Sequence, residues 1–395
     1  MSATAVLRAA SIALLLALFR APLDADDPVS TNVSFNREIT RIIQRKCEPC
    51  HTPGGLAFSL SDYSDARAWG RAIREELVEH RMPPAIVARG YGDLESDPSL
   101  NAREMATFLT WLDGGMPRGD EADRPPTIDA VDPVGDSRPG ARVRLALPAQ
   151  DVPAGEDLAI RRVTVDAGVA AGRQIARVEF RPGNRRVVRG ATMFAASGSG
   201  APAWIGGWSP WQHALVPPTS HAFRLTPGAT LVVDVYYRGA DTNLTDRSEL
   251  DVIVAAETAR GRIEAVVIEA APDRSAARAR GSITLAQPTT IWAVHPSFDA
   301  SVTSMELRAE RPDRSVEVLM WIPKASAAWP VSLVMQEPVS LPAGSRVVLV
   351  AETGGSADLG ITKDGGSADV RITNVGGTRP TYVPSVTLSV LSSGR

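Results

Sequence analysis

From residue 141 to the C-terminus, apolar runs rarely outlast the length of a strand before a Pro- or Gly-containing turn interrupts them. That punctuation restricts the fold more than any other feature of the chain. The runs at 175–180, 231–237, 264–268, 317–321 and 347–351 read as strands. Leu225-Thr-Pro-Gly-Ala-Thr-Leu-Val-Val aligns with Leu341-Pro-Ala-Gly-Ser-Arg-Val-Val-Leu, an offset of 116 residues, and Ile175 falls opposite Ile291 in the same register. The repeated turn-plus-strand predicts two tandem antiparallel β-sandwich domains, over 141–262 and 263–395.

Residues 33–120 carry the helical period instead. Phe35, Ile39, Ile42 and Ile43 share one face, with Arg37, Arg41 and Arg45 on the other. A second helix is expected from about residue 64 to 80, with Ala66, Trp69, Ala72, Ile73 and Leu77 at helical spacing. A third should start after Pro98, where Asn101 and Glu104 can form a capping box. It turns Met105, Phe108, Leu109 and Leu112 inward, and Gly114-Gly115 offers the C-cap. Residues 121–140 are polar and rich in Pro, Gly and Asp, as befits a linker. The expected fold class is therefore α + β multidomain: an all-α domain followed by two β-sandwiches.

Ahead of these lies Arg8, an apolar run over 9–19, and Arg20. The run suits a signal-peptide core and is too short to span a bilayer. Ala25 before Asp26-Asp27-Pro28 offers a cleavage point, so residues 1–25 are read as a signal peptide. Lysine is confined to Lys46, Lys324 and Lys363, which we read as the imprint of a GC-rich bacterial genome. An exported, periplasmic location follows. The 42 Lys+Arg against 45 Asp+Glu give a net charge of −3, without the concentrated basic surface of a nucleic-acid binder. No apolar run approaches the length of a membrane span, so no integral span is expected once the signal is removed.

The chain has only two cysteines, too few for a disulfide scaffold. They stand in Cys47-Glu48-Pro49-Cys50-His51, the C-x-x-C-H arrangement of covalent c-type haem attachment. Two thiols at this spacing can add to the two vinyl groups on one porphyrin edge, and the adjacent imidazole then faces the iron. A thioredoxin-like pair would want a preceding β pattern, and a zinc site would want further Cys or clustered His; neither is present. For the distal iron ligand the sequence offers Met82, in Arg81-Met82-Pro83-Pro84 directly after the second helix. The two prolines end that helix and stiffen an extended loop. His80, Met105 and Met116 are alternatives, and an open iron is another. Met105 reads as core packing. His/Met ligation fills both axial positions and suits electron transfer.

With these residues in view, 33–120 resembles a bacterial monohaem cytochrome c domain, carried by SFNREITRIIQRKCEPCH, HRMPP and LNAREMATFLTWLDGGMPRGD. The resemblance implies an all-α domain holding one covalent haem, with Cys47 and Cys50 as thioether residues, His51 proximal and Met82 distal. It also implies that the first and last helices cross, with Trp111 packed nearby. The remainder is similar to the two-domain copper type II, ascorbate-dependent monooxygenases of the peptidylglycine and dopamine hydroxylase group. That similarity is carried by residues 178–188, 207–210, 225–237 and 341–344. Where the family has its copper histidines, this chain has Arg189-Gly190, Tyr236 and Pro296-Ser297-Phe298-Asp299. Only His213, His221 and His295 remain in this half, so no copper site is expected.

The reading is an exported haem electron carrier whose β domains have lost copper and serve as scaffold or docking module for an unidentified redox partner. Its rivals are an oxidoreductase feeding a rebuilt copper site and an adhesive binding module. Secondary candidates are Tyr236-Tyr237, read as packing or a hopping station, and Trp204, Trp208 and Trp211. That tryptophan group reads as rings folded onto the sandwich or as an exposed patch. Arg161-Arg162 and Arg185-Arg186 read as solvated faces or anion contacts.

Overall fold

A computed structural model describes residues 31–84, 86–95, 97–127, 140–197, 202–212, 214–272, 277–354, 371–374 and 383–393. The expected signal peptide and residues 128–139 of the expected linker lie outside the described residues.

Strand outweighs helix, 43% to 14%, which corrects the expected fold class: among the described residues there is no all-α cytochrome domain. The helical segment holds a π-helical turn, Phe35–Ile39, running into Thr40–Lys46. Tyr63–Ala68, Gly70–Val78 and Ala102–Asp113 follow. The helix expected over 64–80 is broken in two at Trp69, whose ψ of 3° leaves the α region. Gly70 follows it, the poorest helix former after proline, and a Cβ there would lie 2.4 Å from Sδ of Met116. The break lets the chain close onto Met116. The capping box does form: Asn101 accepts from the Glu104 N–H at 2.8 Å while the Glu104 carboxylate accepts from the Asn101 N–H at 2.9 Å. Phe35, Ile39, Ile43, Phe108 and Trp111 make a small buried core here, with the Trp111 indole donating to the Pro117 carbonyl at 3.0 Å.

This segment is not self-contained. Its loop from Ile86 to Glu95 is built into the β-core. Ala88 N–H donates to Trp321 O at 2.8 Å, Glu95 N–H to Val334 O at 2.9 Å, and Gln336 N–H to Asp93 O at 2.8 Å. Leu94 bridges Met335 in antiparallel register, and Ile86, Val87 and Leu94 pack against the second β-core. Gly92 makes the approach possible: it sits at φ +80°, and a Cβ would strike the Leu319 carbonyl.

The β half is also more continuous than two domains in tandem. One eight-stranded sheet runs through both halves, in the order Gly140–Ala146, Glu249–Ala255, Gln174–Arg181, His221–Arg224, Gly261–Glu269, Ser385–Ser393, Thr289–Ser297 and Leu333–Leu341. The seam is the four-residue strand His221–Arg224. It pairs antiparallel with Gln174 and Ile175 on one side and parallel with Gly261 and Arg262 on the other. Two five-stranded sheets and a two-stranded one, Gln150–Val152 with Leu244–Asp246, accompany it among the described residues. One of them is closed by Arg371–Asn374, lying parallel to residues 159–162, so the sheets are not purely antiparallel.

The internal repeat has a structural counterpart. Gly228 and Gly344 both hold their turns at positive φ, 70° and 83°, and Ile175 and Ile291 are both fully buried in the shared sheet. Buried carboxylates are met by donors. Asp251 takes a two-pronged contact from Arg144 at 2.8 and 3.0 Å. Asp246 accepts from the Tyr237 hydroxyl at 2.8 Å and the Ser248 hydroxyl at 2.7 Å. Among the described residues no helix is long and apolar enough to cross a membrane.

Candidate functional site

Cys47, Cys50 and His51 share one turn at the C-terminal end of Thr40–Lys46. Cys47 N–H still donates to Ile43 O, and the Cys50 and His51 N–H groups both donate to Cys47 O, at 3.0 and 2.9 Å. Both thiols are free. Burial pushes each up to about 12, with the neighbouring thiol adding to the rise at Cys47 and the Arg189 charge opposing it at Cys50. The carbonyl end of a helix also disfavours a thiolate. A redox-active Cys-x-x-Cys needs the opposite, a depressed value and a helix N-terminus, so this pair is poorly suited to disulfide exchange.

The imidazole of His51 is fixed by a contact the sequence does not announce. Its Nδ1 lies 2.9 Å from the Phe58 carbonyl oxygen. A carbonyl can only accept, so Nδ1 carries the proton and Nε2 keeps its lone pair for an outside partner. Burial lowers the His51 value, partly offset by that hydrogen bond, so the ring is neutral at pH 7. Phe58 meets the His51 ring edge-on at 4.8 Å and stacks on Trp69 at 4.1 Å. Phe58 and Trp69 are nevertheless more than 40% exposed, as are Val78 and Met82. A short helical segment with a sparse core thus leaves several large apolar side chains in solvent.

These residues fit a covalently tethered haem. It needs two protonated thiols at the porphyrin periphery, one neutral imidazole with Nε2 free, and apolar side chains against the ring faces. Met82 lies past the second short helix in an exposed turn; among the described residues no hydrogen bond or ring contact joins it to His51. His80 is exposed at φ 54°. Met105 and Met116 pack on the small core, Met116 against Gly70, which suits packing rather than ligation.

The expected assignment of haem, iron and metal binding is corrected: the described residues show no haem-binding or metal site. Among the described residues no group of three or more His, Cys, Asp or Glu gathers as a metal-ion site. In the β half, His213 lies outside the described residues. His221 accepts or donates at 2.9 Å to the Ser220 hydroxyl. His295 is buried, with Nδ1 2.6 Å from Val331 O and its ring stacked on Trp204 at 4.9 Å.

Of the tryptophan group, Trp204 and Trp208 are buried in the first core, and Trp211 meets Trp329 at 4.9 Å. Tyr237 is buried, and Tyr236 lines a cleft with His295 and Trp329. Arg161, Arg162 and Arg186 pair with Glu156, Asp234 and Asp241, while Arg185 is exposed.

No family model matches the chain, and no curated protein matches it. Solved structures are similar only weakly. PBCV-1 VP54, a crystal structure fitted into a reconstruction of the virophage Sputnik, is 6% identical over 66% of this chain and 95% of its own, at a TM-score of 0.22. Peptide:N-glycanase F is 10% identical over 64% and 96%, at 0.27. The tandem CBM22 domains of Paenibacillus barcinonensis Xyn10C are 8% identical over 66% and 99%, at 0.17. Likenesses of this size carry no argument about function. One eight-stranded sheet joins strands from both of the expected β-sandwich ranges.

Proposed function

We propose that the chain carries one covalently attached haem and works as an exported electron-transfer protein, its β-sheets acting as scaffold and as docking surface for a redox partner. Cys47 and Cys50 would hold the group through their two thiols, each able to form one thioether. His51 presents Nε2 to the iron, oriented by its Nδ1–H on Phe58 O. Met82, exposed on a turn before two prolines, would be the candidate thioether for the iron. Bound this way, the haem supplies a one-electron couple. Phe58 and Trp69, stacked beside His51, would screen such a group from water and so favour its less charged, reduced state.

The observation that carries this reading is His51: a neutral imidazole locked into the tautomer that frees Nε2, on the same turn as two protonated thiols. The test is the full chain, exported in cells competent for haem attachment, with intact mass and a pyridine haemochrome spectrum. A mass gain of one haem is expected, lost stepwise in Cys47→Ala and Cys50→Ala. Wild-type protein of unmodified mass under these conditions overturns the reading. One iron and no copper in the purified protein separates it from a copper oxidoreductase.

A further inference from the structure

A cavity of about 300 Å³ lies where the 86–98 loop meets the β half. The loop supplies one wall, with Val87 and Leu94. The other wall comes from Trp211-Gln212 and from residues 330–333. Two polar side chains in that second wall stand out. Gln212 is 9% exposed and Ser332 5%, and among the described residues neither side chain has a hydrogen-bond partner. The backbone holds both in place. Ser209-Pro210-Trp211-Gln212 is a tight turn with proline at its second position, where the fixed φ is favoured, and its ends exchange N–H to carbonyl bonds at 2.8 and 3.1 Å. Ser332 can approach because residue 207 is glycine: a Cβ there would strike the Ser332 hydroxyl.

A buried polar group costs stability unless something meets it. Gln212 offers N–H donors and a carbonyl, and Ser332 a hydroxyl; both donate and accept, and neither carries charge. The charged lining residues, Arg89, Asp93 and Asp97, are exposed or half-buried, and Arg89 pairs with Asp97 at 3.0 Å. No buried group in the cavity balances an ion, whose burial would be costly. The volume holds on the order of ten waters, each wanting two to four polar partners, more than two side chains supply. Beside Val87, Leu94 and Trp211, loosely held water is displaced by an apolar surface at a gain. The occupant that suits these groups is compact and uncharged, with hydroxyls on one side and C–H groups on another.

We propose that this cavity binds a neutral monosaccharide, its hydroxyls on Gln212 and Ser332 and its C–H surface against Trp211, Val87 and Leu94. The size matches the small end of ligand pockets, and apolar walls with a few placed polar groups are their usual make-up. Because one wall is the loop and the other the sheet, an occupant joins the two and holds the loop down. The site uses none of the residues assigned to the haem, so the inference goes beyond that reading and stands without it.

The full chain is titrated with D-glucose, D-galactose, D-mannose and N-acetyl-D-glucosamine, and with glucuronate and glucosamine as charged analogues, followed by ligand-observed NMR. At least one neutral sugar should bind saturably, with a dissociation constant on the order of 1 mM, and the charged analogues more weakly. Gln212→Leu and Ser332→Ala should each weaken that binding by about three- to tenfold, the loss of one hydrogen bond. The bound sugar should also slow limited proteolysis of the 86–95 loop several-fold, which a sugar held elsewhere on the surface would not do. Ser332→Ala, the smaller change, decides alone if Gln212→Leu does not fold. Three results overturn the inference: no saturable binding of any of the four neutral sugars, a charged analogue binding tightest, or affinity unaltered in the variants. None of them touches the haem reading, which the mass of the exported protein decides separately.

Discussion

Replacing His295 by glutamine isolates a single buried titration. The imidazole is 5% exposed, stacked at 16° on Trp204, edge-on to Phe194 at 5.9 Å, and donates from Nδ1 to Val331 O. Burial drops its value to about 4, against an opposing contribution from the Val331 hydrogen bond. In the unfolded chain it titrates near 6.5. The folded value is the lower one, so the stabilisation is complete above about pH 6.5 and drains away as pH falls toward 4. The gap is worth about 3 kcal/mol in all, of which about 2 kcal/mol is gone by pH 5. Glutamine keeps an amide donor for Val331 O and cannot titrate. Urea unfolding followed by tryptophan fluorescence, at several pH values between 7 and 5, should show the wild type losing about 2 kcal/mol more than His295→Gln. Parallel loss in the two proteins would falsify the assignment of a neutral, structural imidazole.

Other perturbations have equally definite outcomes. Asn101→Ala removes the side-chain acceptor of the capping box, leaving the Glu104 N–H without its cap, and should cost about 1 kcal/mol, read as a lower urea midpoint at unchanged slope. Tyr237→Phe takes one of the hydroxyl donors from the buried Asp246 carboxylate and should cost about 1–3 kcal/mol in the same assay. Gly92→Ala forces a side chain onto a residue at φ +80° and into the Leu319 carbonyl; limited proteolysis should cut the 86–95 loop at least several-fold faster. Met82→Ala should leave stability within about 0.5 kcal/mol, because the side chain is 41% exposed. In haem-loaded protein the same change should lower the potential and abolish any sulfur-to-iron charge-transfer band, and an unaltered spectrum removes Met82 as the ligand.

Local patterns were legible where a local rule decides the structure. The Asn101 capping box, the Gly228 and Gly344 turns, and the strand periodicity all depend on residues a few positions apart, and all formed. What escaped the sequence depended on partners distant in the chain. Nothing near Leu94 marks it as the partner of Met335, since Gly90, Gly92 and Pro98 punctuate that stretch as they would any surface loop. The expected all-α domain failed for that reason: its longest loop belongs to the β-core. The seam at His221–Arg224 is likewise only four residues long, with no periodicity to read. At the candidate site, the C-x-x-C-H spacing named the turn. The carbonyl of Phe58 that orients His51 is a backbone contact with no motif.

The strand Leu333–Leu341 ends the eight-stranded sheet, and an end strand offers unpaired N–H and C=O groups to any passing chain. Here the exposed row is met by Asp93, Leu94 and Glu95, which take up Val334, Met335 and Gln336. The N-terminal segment therefore covers three of the nine residues of that end strand. A fragment begun at residue 140 to obtain the sheets alone would uncover that edge and the apolar surface behind Ile86 and Val87. It should polymerise or precipitate, whereas the full chain stays dispersed.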